Sequence, residues 1–248
     1  MSLADIKTKG QLKPPKICLY GPGGIGKTTF ASTMPDVIIV QTEDGIGKLK
    51  ANHFEVCKAY DDGTDKSFIG RLNTLLNEEH DYKVLAIDSL DWLEALIHKH
   101  VCEENGWKEI GSQAFGKGYA AALEVWKDYV RLIDRIRDER KMTILQIAHD
   151  KVVKYDDPTT ESYDRHQIKL NNRAADLIIE HCDAVFFTRF KRGAVQKKNS
   201  SGGLSSEIHQ GDRTIFTQDN PNWMAKNRYG LPAEMPFDWK QIREEMIK

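Results

Sequence analysis

The chain has 248 residues, 40% of them hydrophobic and 29% charged, with a formal net charge of −1. No apolar run reaches membrane-spanning length, residues 1–13 lack the apolar centre of a secretory leader, and the near-neutral balance excludes a global pull toward nucleic acid, leaving only local patches for such binding. Cys18, Cys57, Cys102 and Cys182 lie far apart with no C-x-x-C pair, which argues against a zinc site and a disulfide framework and predicts buried thiols, while cytoplasmic residence is expected from the lack of a leader pattern.

Behind Pro14 and Pro15, residues 16–20 form a short apolar run that reads as a buried strand. Gly21, Pro22, Gly23, Gly24, Ile25, Gly26, Lys27 and Thr28 then fit G-x-x-x-x-G-K-[ST] without a mismatch. Glycines let backbone N–H groups converge on phosphate oxygens at φ values other residues resist. Lys27 is expected on the β- and γ-phosphates and the Thr28 hydroxyl on Mg²⁺, with Thr29 completing the binding stretch. A helix over 27–34 is expected to stop at Pro35.

Residues 37–40 predict a strand running into Glu43 and Asp44, acidic side chains at the strand end where open α/β sheets bind ligands; the alternative is a solvated turn ending at Gly45. After a helical pattern over 68–76, the apolar run 84–87 ends in Asp88, the pattern of a metal-organising Walker B strand. Residues 89–101 show one helical face, and 106–118 read as a loop carrying Trp107, Lys108, Phe115 and Lys117, either packed on the domain or exposed to nucleic acid. His98, His100 and Cys102 do not form a metal set, because residues two apart on a helix face different ways.

A long amphipathic helix over 119–137 leads into a strand over 142–148 that ends at His149, which either senses the γ-phosphate or is a capped surface histidine. Residues 150–172 are polar and too long for a simple connection, so a functional or disordered loop is expected. A helical face over 174–182 and a strand over 184–188 precede a basic run, Arg189, Lys191, Arg192, Lys197 and Lys198, with a Ser/Gly-rich tip at 199–206. Residues 213–217 and 223–225 read as edge strands, Lys226, Asn227 and Arg228 follow, and 237–248 predict one docking helix.

Gly21 to Thr28, Glu43, Asp88-Ser89 and Lys226-x-Arg228 together resemble RecA-like ATPases. In particular the chain is similar to phage-encoded RecA-like nucleotide-binding proteins of the single-strand annealing recombination group, whose chains are similarly short and end in a comparable Ala-Lys-Asn-Arg segment. The resemblance implies a RecA-like P-loop NTPase of the α/β class, with a mostly parallel central sheet flanked by helices and C-terminal antiparallel edge strands. It divides the chain into a flexible arm (1–13), an ATPase domain (14–232) and a helical tail (233–248). Carried over by position, Glu43 polarises the attacking water, with Asp44 as the other acidic candidate, and Asp88 acts through Mg²⁺. His149 stands where such proteins keep a γ-phosphate sensor, usually glutamine, and Lys226 and Arg228 become fingers acting on a neighbouring subunit's nucleotide.

ATP and Mg²⁺ are the implied cofactors. Single-stranded DNA, further copies of the chain and an annealing or single-strand-binding protein are the implied partners, in a host cytoplasm if the chain is phage-encoded and with no membrane role. The loops 106–118 and 150–172 fall where RecA-like proteins hold DNA. A small-molecule P-loop kinase with 150–172 as its lid, flanked by Arg165 and Arg173, and a non-catalytic ATP-binding adaptor are the rival readings. The lack of an N-K-x-D motif favours ATP over GTP, and Pro22 occupies the place where partition-type ATPases carry a second lysine.

Overall fold

Aliphatic runs covered on both faces form the centre of the structure. The computed structural model describes residues 13–156, 161–198 and 204–248, and for 192–198 and 204–210 the backbone alone. In chain order the strands are β1 (Lys16–Gly21), β2 (Val37–Gln41), β3 (Asn52–His53), β4 (Val84–Asp88), β5 (Thr143–Tyr155), β6 (Tyr163–Ile168), β7 (Ala184–Lys198), β8 (Leu204–Phe216), β9 (Lys226–Asn227) and β10 (Glu234–Pro236). They form one sheet in the order β10-β8-β7-β1-β5-β4-β2-β3, with β6 paired to β5 and β9 to β7. From β7 to β3 the path is parallel, whereas β6, β8, β9 and β10 pair antiparallel.

Strand periodicity explains why both faces are apolar, since successive side chains point to opposite sides. On β1, Ile17 and Leu19 join a cluster with Phe30, Met34, Trp239 and Ile242, while Cys18 and Tyr20 join another with Leu72, Leu93, Trp126, Tyr129 and Ile178. The first face is covered by α1 (Lys27–Ser32); α2 (Phe68–Asn77), α3 (Leu90–Asn105), α4 (Lys117–Glu139) and α5 (Asn172–His181) cover the second, and α6 (Trp239–Met246) returns to the first. Each fully buried Leu, Ile or Phe contributes about 1.5–3 kcal/mol. Ser67 accepts from Gly70 N–H at 3.0 Å and Asp238 from Gln241 N–H at 3.1 Å, which fixes where α2 and α6 begin. Among the described residues no helix is long and apolar enough to cross a membrane.

The structure departs from the sequence-based expectation in four places, the first being that β7 does not stop at 188 but continues through the basic run to Lys198, paired with a β8 that begins at Leu204 and not at 213. Residues 150–172 are not a loop: β5 runs on for thirteen residues and pairs with β6 in an antiparallel hairpin, Asp150 opposite Ile168 and Tyr155 opposite Tyr163. Mixed charge hides this pairing from a hydrophobicity pattern, because beyond the core the hairpin is held by its ladder and by surface rings such as Tyr155 and Tyr163, 5.4 Å apart. Residues 223–225 make only isolated bridges through Trp223, and the strand is β9 beyond them. Segment 106–118 contains two short 3-10 turns, Ile110–Ser112 and Ala114–Gly116; Trp107 packs on the core while Phe115 stands fully exposed at φ 55°. The arm over 1–12 and the tip at 199–203 lie outside the described residues.

Candidate functional site

Strand order decides which side chains meet at the carboxyl ends of the parallel strands, the edge at which open α/β sheets bind ligands. β5 lies between β1 and β4, with Gly21 in register with His149 and Asp88 in register with Ile147. His149 therefore sits between the glycine-rich turn leaving β1 and the carboxylate closing β4. Gly21 itself has no room for a side chain, since a Cβ would come within 2.2 Å of the Thr188 carbonyl on β7. Gly26 adopts φ 98° at the start of α1, a conformation in which a Cβ is strained.

Lys27 curls back and donates to the carbonyls of Gly21 (2.8 Å) and Pro22 (2.9 Å). Burial lowers its pKa, opposed by the nearby charge of Asp88. Thr28 Oγ1 donates to Asp88 Oδ2 at 2.6 Å. Burial raises the Asp88 pKa against the pull of that hydrogen bond, so its charged form is under-compensated. A Cβ built on Gly45 would stand 3.6 Å from both Thr28 Oγ1 and Asp88 Oδ2. Two hard oxygen donors beside space kept clear by a glycine fit a Mg²⁺ ion that takes its remaining ligands from phosphates and water.

The four residues from Asp88 to Asp91, joined at their start by a cis Asp88–Ser89 peptide, order the rest of the site. Thr42 Oγ1 donates to the Ser89 carbonyl at 2.7 Å and accepts from Ser89 N–H at 2.8 Å, stitching the end of β2 to that of β4. Ser89 Oγ then donates to Glu43 Oε1 at 2.7 Å, whereas Asp44 is exposed. Asp91, in the first turn of α3, accepts from His149 Nδ1 and from the His149 backbone N–H. Asp91 escapes sequence reasoning because nothing local marks it as more than the start of a helix, and Ser89 is legible only as the residue after Asp88, with its bond to Glu43 unforeseen.

Arg213 is a further residue the sequence places only on an edge strand. Its guanidinium lies 5.1 Å over the Phe237 ring, and NH1 is 3.5 Å from the Ile25 carbonyl in the glycine-rich turn. That proximity depends on β8 returning beside β7, a long-range pairing with no short-range signal.

Lys226 and Arg228 are elsewhere. Lys226 pairs with Val185 near the beginning of β7, at the opposite end of the strands. Its ammonium donates to the Ile179 and Glu180 carbonyls in the last turn of α5 (2.8 and 2.9 Å), and Arg228 NH1 reaches Asp183 at 3.3 Å. Arg165, the candidate lid arginine of a kinase, pairs with Asp219 and lies 5.4 Å over the Tyr155 ring.

A phosphate loop on β1, a buried carboxylate on β4 and a polar residue midway along the strand between them define a P-loop nucleotide-binding domain. The family described as AAA domain matches residues 13–229, and the chain belongs to it. ATP hydrolysis is the activity its members generally carry. No curated protein matches the chain.

Proposed function

We propose that the chain is a RecA-like ATPase acting in phage DNA recombination or single-strand annealing, working as a homo-oligomer on single-stranded DNA beside an annealing or single-strand-binding protein. The observation that carries the ATPase part is the convergence of Lys27, Thr28, Asp88, Glu43 and His149 at adjoining strand ends. Lys27 exchanges its two carbonyl acceptors for phosphate oxygens. Glu43 has Oε1 held by Ser89, which leaves the other oxygen to accept a proton from the attacking water. Thr28 and Asp88 would hold Mg²⁺, which supplies charge neutralisation on the β- and γ-phosphates when bound. Arg213 adds a cation from the same chain beside the turn.

Two features support the DNA reading. The β5–β6 hairpin extends the strand that carries His149 and presents Val152 and Tyr155 to solvent along with Lys154, an aromatic and basic surface of the kind that stacks bases and tracks phosphates. Phe115 stands exposed between Lys108 and Lys117 in the other loop. Lys226 and Arg228, remote from this chain's own turn, would reach a nucleotide only across an interface between copies, which agrees with a finger acting in trans.

The test is ATP turnover of wild type and Lys27→Ala, with and without single-stranded DNA, over a wide protein concentration range and with mass followed by light scattering. The proposal expects turnover that rises with assembly on DNA and is absent in Lys27→Ala. Equal turnover with and without DNA at every concentration would remove the DNA part and leave a plain ATPase.

A further inference from the structure

His149 is tied to one carboxylate by three contacts. Its Nδ1 lies 3.1 and 3.0 Å from Oδ1 and Oδ2 of Asp91, and its backbone N–H donates to Oδ1 at 3.1 Å. The Asp91 side chain is 7% exposed and that of His149 26%. A carboxylate only accepts, so Nδ1 carries a proton, and the neutral ring then offers Nε2 as a lone pair and not as a donor. That edge faces the phosphate loop: Nε2 and Cδ2 lie 3.9 Å from a Cβ built on Gly23. A lone pair directed at a phosphate oxygen is repelled, whereas an imidazolium N–H is attracted and forms a charge-assisted bond.

The charges around the ring are of both signs. Asp91 on α3, Asp88 at the end of β4, Asp150 next along β5 and Glu43 after β2 are the acidic groups of this cluster, against Lys27 in the loop and Lys169 after β6, whose ammonium is 3.9 Å from Asp91. A triphosphate adds negative charge on the Gly23 side. Asp91 itself, despite the upward push of burial, is held below the ordinary carboxylate range by its bonds to His149, so it stays a charged acceptor.

We propose that Asp91 is the positioning residue that turns His149 into a cationic phosphate sensor, so that binding of a nucleoside triphosphate is coupled to uptake of a solvent proton on His149 Nε2. The inference rests on the nucleotide reading of the P-loop. It gives a chemical reason for histidine at a position where a glutamine would serve as a neutral donor: with a carboxylate behind it, the ring donates forward only when charged. The proton adds to imidazole to give imidazolium, and no other bond changes. Because nucleotide and proton then bind together, affinity is greatest at acid pH and falls by as much as about tenfold per pH unit over one window before levelling off.

Calorimetric titration with the β,γ-imido analogue of ATP and Mg²⁺, in two buffers of different ionisation enthalpy, measures the proton directly. Wild type should take up as much as about one proton per nucleotide within that window. His149→Gln should take up none from this position and bind with a flatter pH dependence. Asp91→Asn should lose most of the uptake, and in a His149→Gln background should cost nothing further. Nitrogen NMR of the nucleotide-free protein reads the dyad without activity: the neutral His149 ring should be Nδ1-protonated in wild type and shift toward Nε2-protonated in Asp91→Asn. Nucleotide that binds with uptake unchanged in His149→Gln, or an Nε2-protonated ring in free wild type, overturns this inference and leaves the ATPase reading standing. Nucleotide that fails to bind wild type overturns both.

Discussion

The two ends of the same parallel strands treat charge in opposite ways. At the amino ends, ionic groups are paired within the chain: Lys16 and His181 both reach Asp134 (2.7 and 2.9 Å), Arg137 and Arg228 reach Asp183 (3.8 and 3.3 Å), and Lys226 caps α5. Against the upward push of burial, the bonds from Lys16 and His181 hold Asp134 below its ordinary value. At the carboxyl ends, Lys27 rests on two carbonyls with its pKa pushed down, and Asp88 has only a threonine hydroxyl with its pKa pushed up. Burial also pushes Lys226 and His181 down at the amino end, so the difference lies in the carboxylates: Asp134 is held low by Lys16 and His181, whereas Asp88 is pushed up by burial beside a threonine hydroxyl, a desolvated charge whose natural counterpart is a cation. An unfavourable local balance in the free protein is thus a marker of the ligand that relieves it.

The strongest way to test that contrast is at the working end. Glu43→Gln keeps the shape of the site and should retain ATP binding while turnover falls by about 10²–10⁴-fold, read as kcat against Kd. At the amino end, Asp134→Ala strips the partner from Lys16 and His181, whose side chains are 9% and 7% exposed. Because Asp134 itself is 43% exposed, the loss should be about 1–3 kcal/mol by denaturant unfolding, with turnover per folded molecule unchanged. The same pair sets a pH sign: with the folded pKa of Asp134 depressed, its contribution is present above the unfolded carboxylate value near pH 4 and is lost as pH falls through the folded value.

Asp88→Asn sharpens the comparison from the other side. Removing a buried and poorly paired charge should raise the thermal midpoint of the nucleotide-free protein by roughly a few degrees, while Mg²⁺-dependent turnover is lost. A lowered midpoint would mean that the carboxylate is a stabilising element and that the two ends do not differ. The smallest expected effect is that of Arg228→Ala, whose exposed ion pair contributes about 1 kcal/mol or less. Its ATP affinity should match wild type, and turnover on DNA should drop if the residue acts across an interface; normal turnover would end the trans-finger reading.

How much of this could be read from sequence follows from how local each signal is. β1, β2, β4, the first half of β5 and the start of β7 are continuous apolar runs because both faces are covered, and that pattern is visible in a window of five residues. The phosphate loop and Asp88 are legible because backbone geometry and metal chemistry restrict their residue types. The outer half of β5 with β6 is not, since a ladder between polar strands leaves no hydrophobic period. Nor were the roles of Asp91, Ser89 and Arg213 legible. Each is defined by a partner 46 or more residues away, and any polar residue type looks equally at home at the start of a helix or on an edge strand.

Gly45 carries a consequence that runs against ordinary expectation for a loop residue. Its backbone does not need the left-handed region, and a methyl group there would meet its neighbours only at ordinary van der Waals separation. Alanine at 45 should therefore be invisible to a melting curve, yet that methyl would occupy the very volume reserved for the ion's water shell, acting as a plug permanently tethered in the socket.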